Sequence, residues 1–516
     1  MSDRPRDPFR DSARSLAAAL RSGEVTSRAL VDATIAHAQV VNPLLNAIVA
    51  DRFADARADA DAADRRIVAA RAAGCEEELP PLLGVPCTIK ESFEVTGMPN
   101  TSGLVARQGV RAERDAVTVR RLREAGAVVL GVTNTSELCM WMESSNRVYG
   151  RTNNPYDLRR IVGGSSGGEG AAVGAAYAPF GLGADVGGSI RMPAFFNGVF
   201  GHKPSGRLIP NAGQYPLGGP ETQPFLCTGP LCRRAEDLMP LVRLLAGPDP
   251  EDGACVPMEL GDPATVDLGG MRVVHIPDDG RIGVASTLRK SQEDAVAWLR
   301  AAGADVQVHR PPELRRSVEI WGAMLEAAGG PTFRSMLADG RDGFSAPVEF
   351  MRWASRRSPH TLPALMLAVL ETLPTAAEAQ ARAFLQSGES LRNRLEDLVG
   401  DNGIFLYPSH ARPAPRHYAP LLLPWRWAYT AILNVMEVPV TQVPLGLDAG
   451  GRPLGVQVGG RRGDDHRTIA VAEALERAFG GWVPPWESAV AQRRGVGAFA
   501  PSLALASGRG VGVVGA

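Results

Sequence analysis

Lysine is almost missing from this chain of 516 residues: among 55 basic residues only Lys90, Lys203 and Lys290 are not arginine. Arginine does not give up its proton in a protein, whereas a buried lysine can be driven to neutrality and act as a base. Amine chemistry is thereby confined to three positions. Long apolar runs are missing too; no stretch reaches 18 residues, which excludes a membrane-spanning helix. The first 21 residues are polar and charged, and their apolar run Leu16–Leu20 is too short for a signal-peptide core, so a cytoplasmic protein is expected. A formal net charge of -1 leaves no bulk attraction for nucleic acid and points to small-molecule work. The eight histidines form no H-E-x-x-H and no Cys/His ladder. The six cysteines, Cys75, Cys87, Cys139, Cys227, Cys232 and Cys255, contain no C-x-x-C pair and read as reduced thiols, mostly in the core. Neither a metal nor an organic cofactor is expected.

Glycine, by contrast, is plentiful at 57 residues, and two glycine-dense blocks hold serines. The first is G-G-S-S-G-G-E-G from Gly163 to Gly170; the second is G-A-D-V-G-G-S-I-R from Gly183 to Arg191. Glycine lets a turn aim several backbone N–H groups at one point and present a hydroxyl without steric cover. A nucleophile beside an oxyanion hole needs that geometry. Three serines compete for the role: Ser165, Ser166 and Ser189. Gly163–Gly167 also fits G-x-S-x-G, in which Ser165 would be the nucleophile of an α/β-hydrolase-type esterase with His410 or His466 as its base.

Helical patterns dominate residues 1–75, with Thr26 or Ser27 capping a run from Arg28 to Val41 and a second helix over Asp51–Arg71. Leu82–Lys90 and Ala127–Val132 read as buried strands around a helix Asp115–Glu124. Val273–Ile276, Val306–His309, Ile404–Tyr407, Val438–Val443 and Leu454–Val458 read as further strands, with helices Leu288–Ala301 and Arg467–Phe479. This is α/β grammar, and no Pro/Ser-rich linker divides it. The expected organisation is N-terminal helices (1–75) on a catalytic domain (76–487) with a helical insertion near 312–398. A Gly- and Ala-rich mobile tail is expected over 488–516.

Taken together, the V-P-x-x-I-K strand ending at Lys90, G-G-S-S-G-G-E-G, D-V-G-G-S-I-R-M-P-A and G-H-K-P-S resemble the amidase signature family. Lys90-Glu91-Ser92, Ser136-Glu137-Leu138-Cys139-Met140-Trp141 and Phe405-Leu406-Tyr407-Pro408-Ser409-His410 are similar to the type-two fatty-acid amide hydrolases within it. The resemblance covers about Leu82 to Trp482. It implies a central mixed, twisted β-sheet flanked by helices on both faces, and a serine hydrolase of carboxylic amides. It also implies the roles: Ser189 as nucleophile, Ser165 as a relay on a cis peptide bond after Gly164, and Lys90 as base. The backbone N–H groups of Val186, Gly187, Gly188 and Ser189 would form the oxyanion hole, with Ser166, Asp185 and Arg191 holding the network. An amidotransferase A-type subunit would use the same residues to release ammonia.

Cys139, Met140, Trp141, Trp425, Trp427 and Tyr429 lie near family positions that border the acyl pocket, which suits a long acyl or aryl group. Arg356-Arg357 followed by the apolar Pro363–Leu370 fits a buried helix, a homodimer interface or a peripheral membrane contact. Lys203, in the H-K-P turn, reads as structural and Lys290 as a surface residue.

Overall fold

Runs such as Val128–Thr133 are buried at every position rather than at alternate ones, the pattern of strands covered on both faces. In a computed structural model, which describes residues 7–339, 344–371 and 378–488, such runs join one sheet of eleven strands. They are β1 (Ile48–Asp51), β2 (Pro86–Lys90), β3 (Val128–Thr133), β4 (Phe180–Asp185), β5 (Phe200–Lys203), β6 (Cys227–Cys232), β7 (Arg272–His275), β8 (Asp305–Val308), β9 (Gly403–Pro408), β10 (Val440–Leu447) and β11 (Pro453–Gly459). Their spatial order is β1-β3-β2-β4-β6-β5-β10-β11-β9-β7-β8. The sheet is mixed: β3, β2 and β4 run parallel, as do β9, β7 and β8, while the pairings between those groups are antiparallel.

Alternate side chains of a strand point to opposite faces, and here they enter different cores. Ile404 and Leu406 join one apolar cluster while Phe405 and Tyr407 join another; Val129 and Leu130 divide in the same way. The helices Ser27–Leu45, Phe53–Ala73, Val117–Glu124, Leu238–Leu245, Ser286–Ala301 and Asp465–Phe479 contribute the other halves of these clusters. Helices therefore cover both faces.

The structure adds detail that periodicity does not carry. Residues 1–75 read as helical, yet Ile48–Asp51 is an edge strand paired antiparallel with β3. Of the two candidate caps, Thr26 accepts from the N–H of Ala29 at 3.1 Å, and Ser27 instead donates to the Gly84 carbonyl at 2.8 Å. Between Pro312 and Val399 the described elements are all helical: a 3-10 turn Pro312–Arg316, then Ser317–Ala327, Phe333–Ala338, Ala346–Ala354, Leu362–Leu370 and Glu378–Val399. The helix Leu362–Leu370 buries Leu365 and Ala368, the latter in a cluster with Leu104, Leu138 and Phe333, while Leu370 is exposed. Residues 489–516 of the expected tail lie outside the described residues. Among the described residues no helix is long and apolar enough to cross a membrane.

Candidate active site

β2 and β4 are parallel neighbours, so their C-terminal ends open on the same edge of the sheet, where ligand sites of such sheets form. Lys90 is the last residue of β2 and is 1% exposed; its Nζ lies 2.7 Å from Oγ of Ser165. The Gly164–Ser165 peptide bond is cis. Ser144 ties this turn together: its hydroxyl contacts the carbonyls of Gly163 (3.1 Å) and Ser165 (2.9 Å) and accepts from the N–H of Gly167 (2.9 Å). A Cβ on Gly164 would stand 2.2 Å from the Trp141 carbonyl oxygen, so only glycine fits there.

β4 ends at Asp185, and the turn that follows carries Ser189. The carbonyls of this turn are all held. Val186 accepts from the Trp321 indole N–H (3.0 Å), Gly187 from the Thr430 hydroxyl (2.9 Å), Gly188 from the N–H of Met192 (2.7 Å) and Ser189 from the N–H of Ser166 (3.2 Å). With the carbonyls pinned, the N–H groups of Val186, Gly187 and Ser189 have no acceptor among the described residues. They are free to meet an oxyanion. Gly188 departs from the expectation: its N–H donates to Asp185 Oδ1 at 2.7 Å, three residues back, so this donor is already engaged. Gly188 itself has φ +116°, and a Cβ there would collide with Thr430 Oγ1 at 2.1 Å. Of the three competing serines, Ser189 keeps the most exposure, 9% against 1% for Ser165 and 0% for Ser166.

Beneath the turn lies a buried ion pair. Arg191 donates from Nε and Nη2 to the two Asp185 oxygens, each at 3.0 Å, from Nη1 to Gln457 (2.8 Å), and to Asn434. Both side chains are fully buried. Burial alone would raise the Asp185 carboxyl, but the Arg191 charge and hydrogen bonds outweigh it and hold it well below the usual carboxylate range. Ser166 links the two Gly/Ser blocks, since its hydroxyl meets Ala184 on β4 and its N–H meets Ser189.

A second buried acid lies close to Lys90. Glu169 accepts from the hydroxyls of Thr88 (2.7 Å) and Thr133 (2.6 Å); Thr88 is two residues before Lys90 on β2, and Thr133 is its partner on β3. Burial pushes the Glu169 carboxyl up to about 7, against those hydrogen bonds.

The expected pocket residues divide. Trp427 packs edge-on against Trp321 at 4.7 Å and approaches Gly187, and the Trp141 backbone lies against Gly164. Cys139 Sγ is 3.3 Å from Thr135 Oγ1, and Met140 packs on the cluster of Leu138 and Phe333. Two further residues are placed differently. Tyr429 is fully buried, its ring on Tyr407 and its hydroxyl bonded to the Ile282 carbonyl and Asp279, because that polar tip finds its partners inside the core. Trp425 is 47% exposed at the surface. Trp321, Thr430, Ser144, Asn434 and Gln457 hold the site without any local motif to announce them.

The histidines proposed as alternative bases are placed elsewhere. His410 is buried against Phe196 with Nδ1 bonded to Arg412, and burial pushes its pKa down to about 4. His466 packs against Gly261. Lys203 donates to the carbonyl of Pro204 at 2.8 Å, and Lys290 pairs with Asp294 at the surface.

A buried lysine against a serine, next to a serine-bearing turn with free N–H groups, can deprotonate a hydroxyl and hold a negatively charged oxygen. The family model described as Amidase matches residues 29–469, and the chain belongs to the amidase signature family of amide-hydrolysing enzymes. It is 46% identical over 488 residues to fatty-acid amide hydrolase 2-B of Danio rerio, covering 92% of this chain and 90% of the relative. Fatty-acid amide hydrolase 2 of Homo sapiens is 43% identical over 489 residues, with coverage of 92% and 90%. Among solved structures, 6-aminohexanoate cyclic dimer hydrolase superposes with a TM-score of 0.75 at 27% identity, covering 92% of this chain and 98% of that one.

Proposed function

We propose that the chain is a serine amidohydrolase that cleaves carboxylic amides, with fatty-acyl or aryl groups on the acyl side and primary or N-substituted nitrogen on the other. The reaction runs through an acyl-enzyme on Ser189. Neutral Lys90 takes the proton of Ser165 while Ser165 takes that of Ser189, and the freed Ser189 oxygen attacks the amide carbon. The N–H groups of Val186, Gly187 and Ser189 accept the developing oxyanion. As the C–N bond breaks, the proton returns through Ser165 to the leaving nitrogen; water then repeats the sequence to release the acid. The observation that carries this reading is the 2.7 Å contact between Lys90 and Ser165 on the turn tied to Ser189. The six unpaired cysteines favour the cytoplasm, and the names of the relatives above favour a fatty-acyl substrate.

Lys90→Ala is expected to lose about 10²- to 10⁴-fold in amide hydrolysis and clearly less on a matched ester, whose leaving oxygen needs less protonation. Equal losses on the two substrates would count against the relay. A fluorophosphonate probe should label Ser189; labelling of Ser165 would revive the elbow reading. A kcat/KM series over primary amides from two carbons to long-chain and aryl groups fixes the acyl preference. Activity of the chain alone on such amides would exclude an amidotransferase subunit.

A further inference from the structure

The N-terminus of the helix Ser286–Ala301 opens on a cavity of about 370 Å³ lined by Arg160, Arg412, Arg426 and Arg452 together with Ser286 and Thr287. Four guanidinium groups share this space. Two are matched: Arg452 by Asp448 at 2.7 Å and Arg160 by Asp157 at 3.2 Å. Among the described residues Arg412 and Arg426 have no carboxylate within ion-pair distance, whereas Arg160 and Arg452 each have one. The helix that points its positive end into the cavity has no side-chain N-cap and no acid in its first turn; its dipole adds to the excess positive charge rather than relieving it. Burial first, and then the neighbouring Arg412 charge, push the Arg426 pKa down; burial first, and then Arg452, do the same to Arg160. A hollow lined by four arginines of which two lack an acid leaves a place for an anion to supply the missing charge.

The location matters because two of the walls adjoin segments that lead to or pack on the serine-bearing turns. Arg160 precedes Ile161, whose N–H is bonded to the Pro415 carbonyl, and the chain then runs directly to Gly164 and Ser165. Arg426 adjoins Trp427, the residue against Gly187. We infer that this cavity binds a free multivalent oxyanion of the phosphate class, such as inorganic phosphate, pyrophosphate or a phosphomonoester, held by Arg412, Arg426, Arg160 and the N–H groups of Ser286 and Thr287. The site stands apart from Ser189 and does not depend on the proposed reaction.

Calorimetric titration of the full chain with pyrophosphate at constant ionic strength tests this directly, alongside the Tm. Saturable one-to-one binding with a rise in Tm is expected, and Arg412→Gln/Arg426→Gln should bind about tenfold or more weakly, having lost two charge-assisted contacts. Ser286→Glu supplies a carboxylate at the helix end; it should raise Tm without anion and abolish the pyrophosphate shift, which keeps the test open if the double variant folds poorly. No saturable binding, equal binding by the double variant, or an undiminished shift in Ser286→Glu would overturn the assignment. So would binding to phosphatidate vesicles without binding of soluble pyrophosphate, which would place the phosphate in a lipid headgroup.

Discussion

The sheet edge around Lys90 and the helices between Pro312 and Val399 are built on opposite rules. At the sheet edge, Lys90, Ser165, Ser166, Asp185 and Arg191 are all buried and each is bonded to a partner from another segment. Four of these helices have eleven residues or fewer, against 22 in Glu378–Val399, and the shorter ones leave Val348, Met351 and Leu370 exposed at 40%, 67% and 57%. A group that must be held in one geometry loses its effect steeply when misplaced by an ångström, so its surroundings are over-determined; the helices tolerate looser packing. Trp321 is where the two regions meet, a residue of the helical part whose indole holds a carbonyl of the turn before Ser189.

Removing Ser189 should break the contrast most severely. Ser189→Ala is expected to reduce kcat by about 10⁴-fold or more, as loss of a nucleophile does elsewhere, and residual activity near that of the intact enzyme would mean that chemistry happens at another serine. Next in size is Arg191→Met. It leaves Asp185 buried and uncompensated, at a cost of about 3–5 kcal/mol in urea unfolding; an unchanged midpoint would show that the clamp is not rigid.

Glu169→Gln sharpens the comparison through pH. The folded-state pKa of Glu169 is raised to about 7 from 4.5, so the native state binds its proton more tightly than the unfolded state. Stability contributed by the protonated acid is present below 4.5 and is lost as pH rises toward 7. The variant should lose less stability between pH 5 and pH 8, with Glu91 and Asp237, also raised to about 7, retaining part of the slope. Identical slopes in the two proteins would refute the role of Glu169.

Smaller again is Trp321→Phe, which deletes one hydrogen bond worth about 1 kcal/mol and should lower kcat about fivefold with KM little changed. A change confined to KM would make Trp321 a pocket wall only. At the far end, Met351→Gln should alter stability by less than about 0.5 kcal/mol, as unfolding curves would show; a larger loss would mean that the helical part is as tightly specified as the sheet edge.

Lys90 and the two Gly/Ser blocks were legible because scarcity and glycine spacing are local properties of a chain. The neighbours that hold them were not. Thr430, Asn434 and Gln457 come from more than 200 residues away, and a hydroxyl, amide or indole donor can each pin a carbonyl, so no residue type announces the task. Size and polarity alone do not say which way the aromatics Tyr429 and Trp425 point; one lies in the core and the other is about half-exposed. The strand Ile48–Asp51 escaped notice because four residues between two long helices carry little period.

By itself the sequence determined the candidate residue types, the turns able to present them and the alternation of strands and helices, since these follow from backbone conformation and side-chain chemistry at short range. Only the tertiary structure decided which N–H groups stay free. Asp185 captures the Gly188 donor, two distant side chains hold the Val186 and Gly187 carbonyls and two backbone N–H groups hold those of Gly188 and Ser189, because a hydrogen bond depends on where packing brings its two ends together.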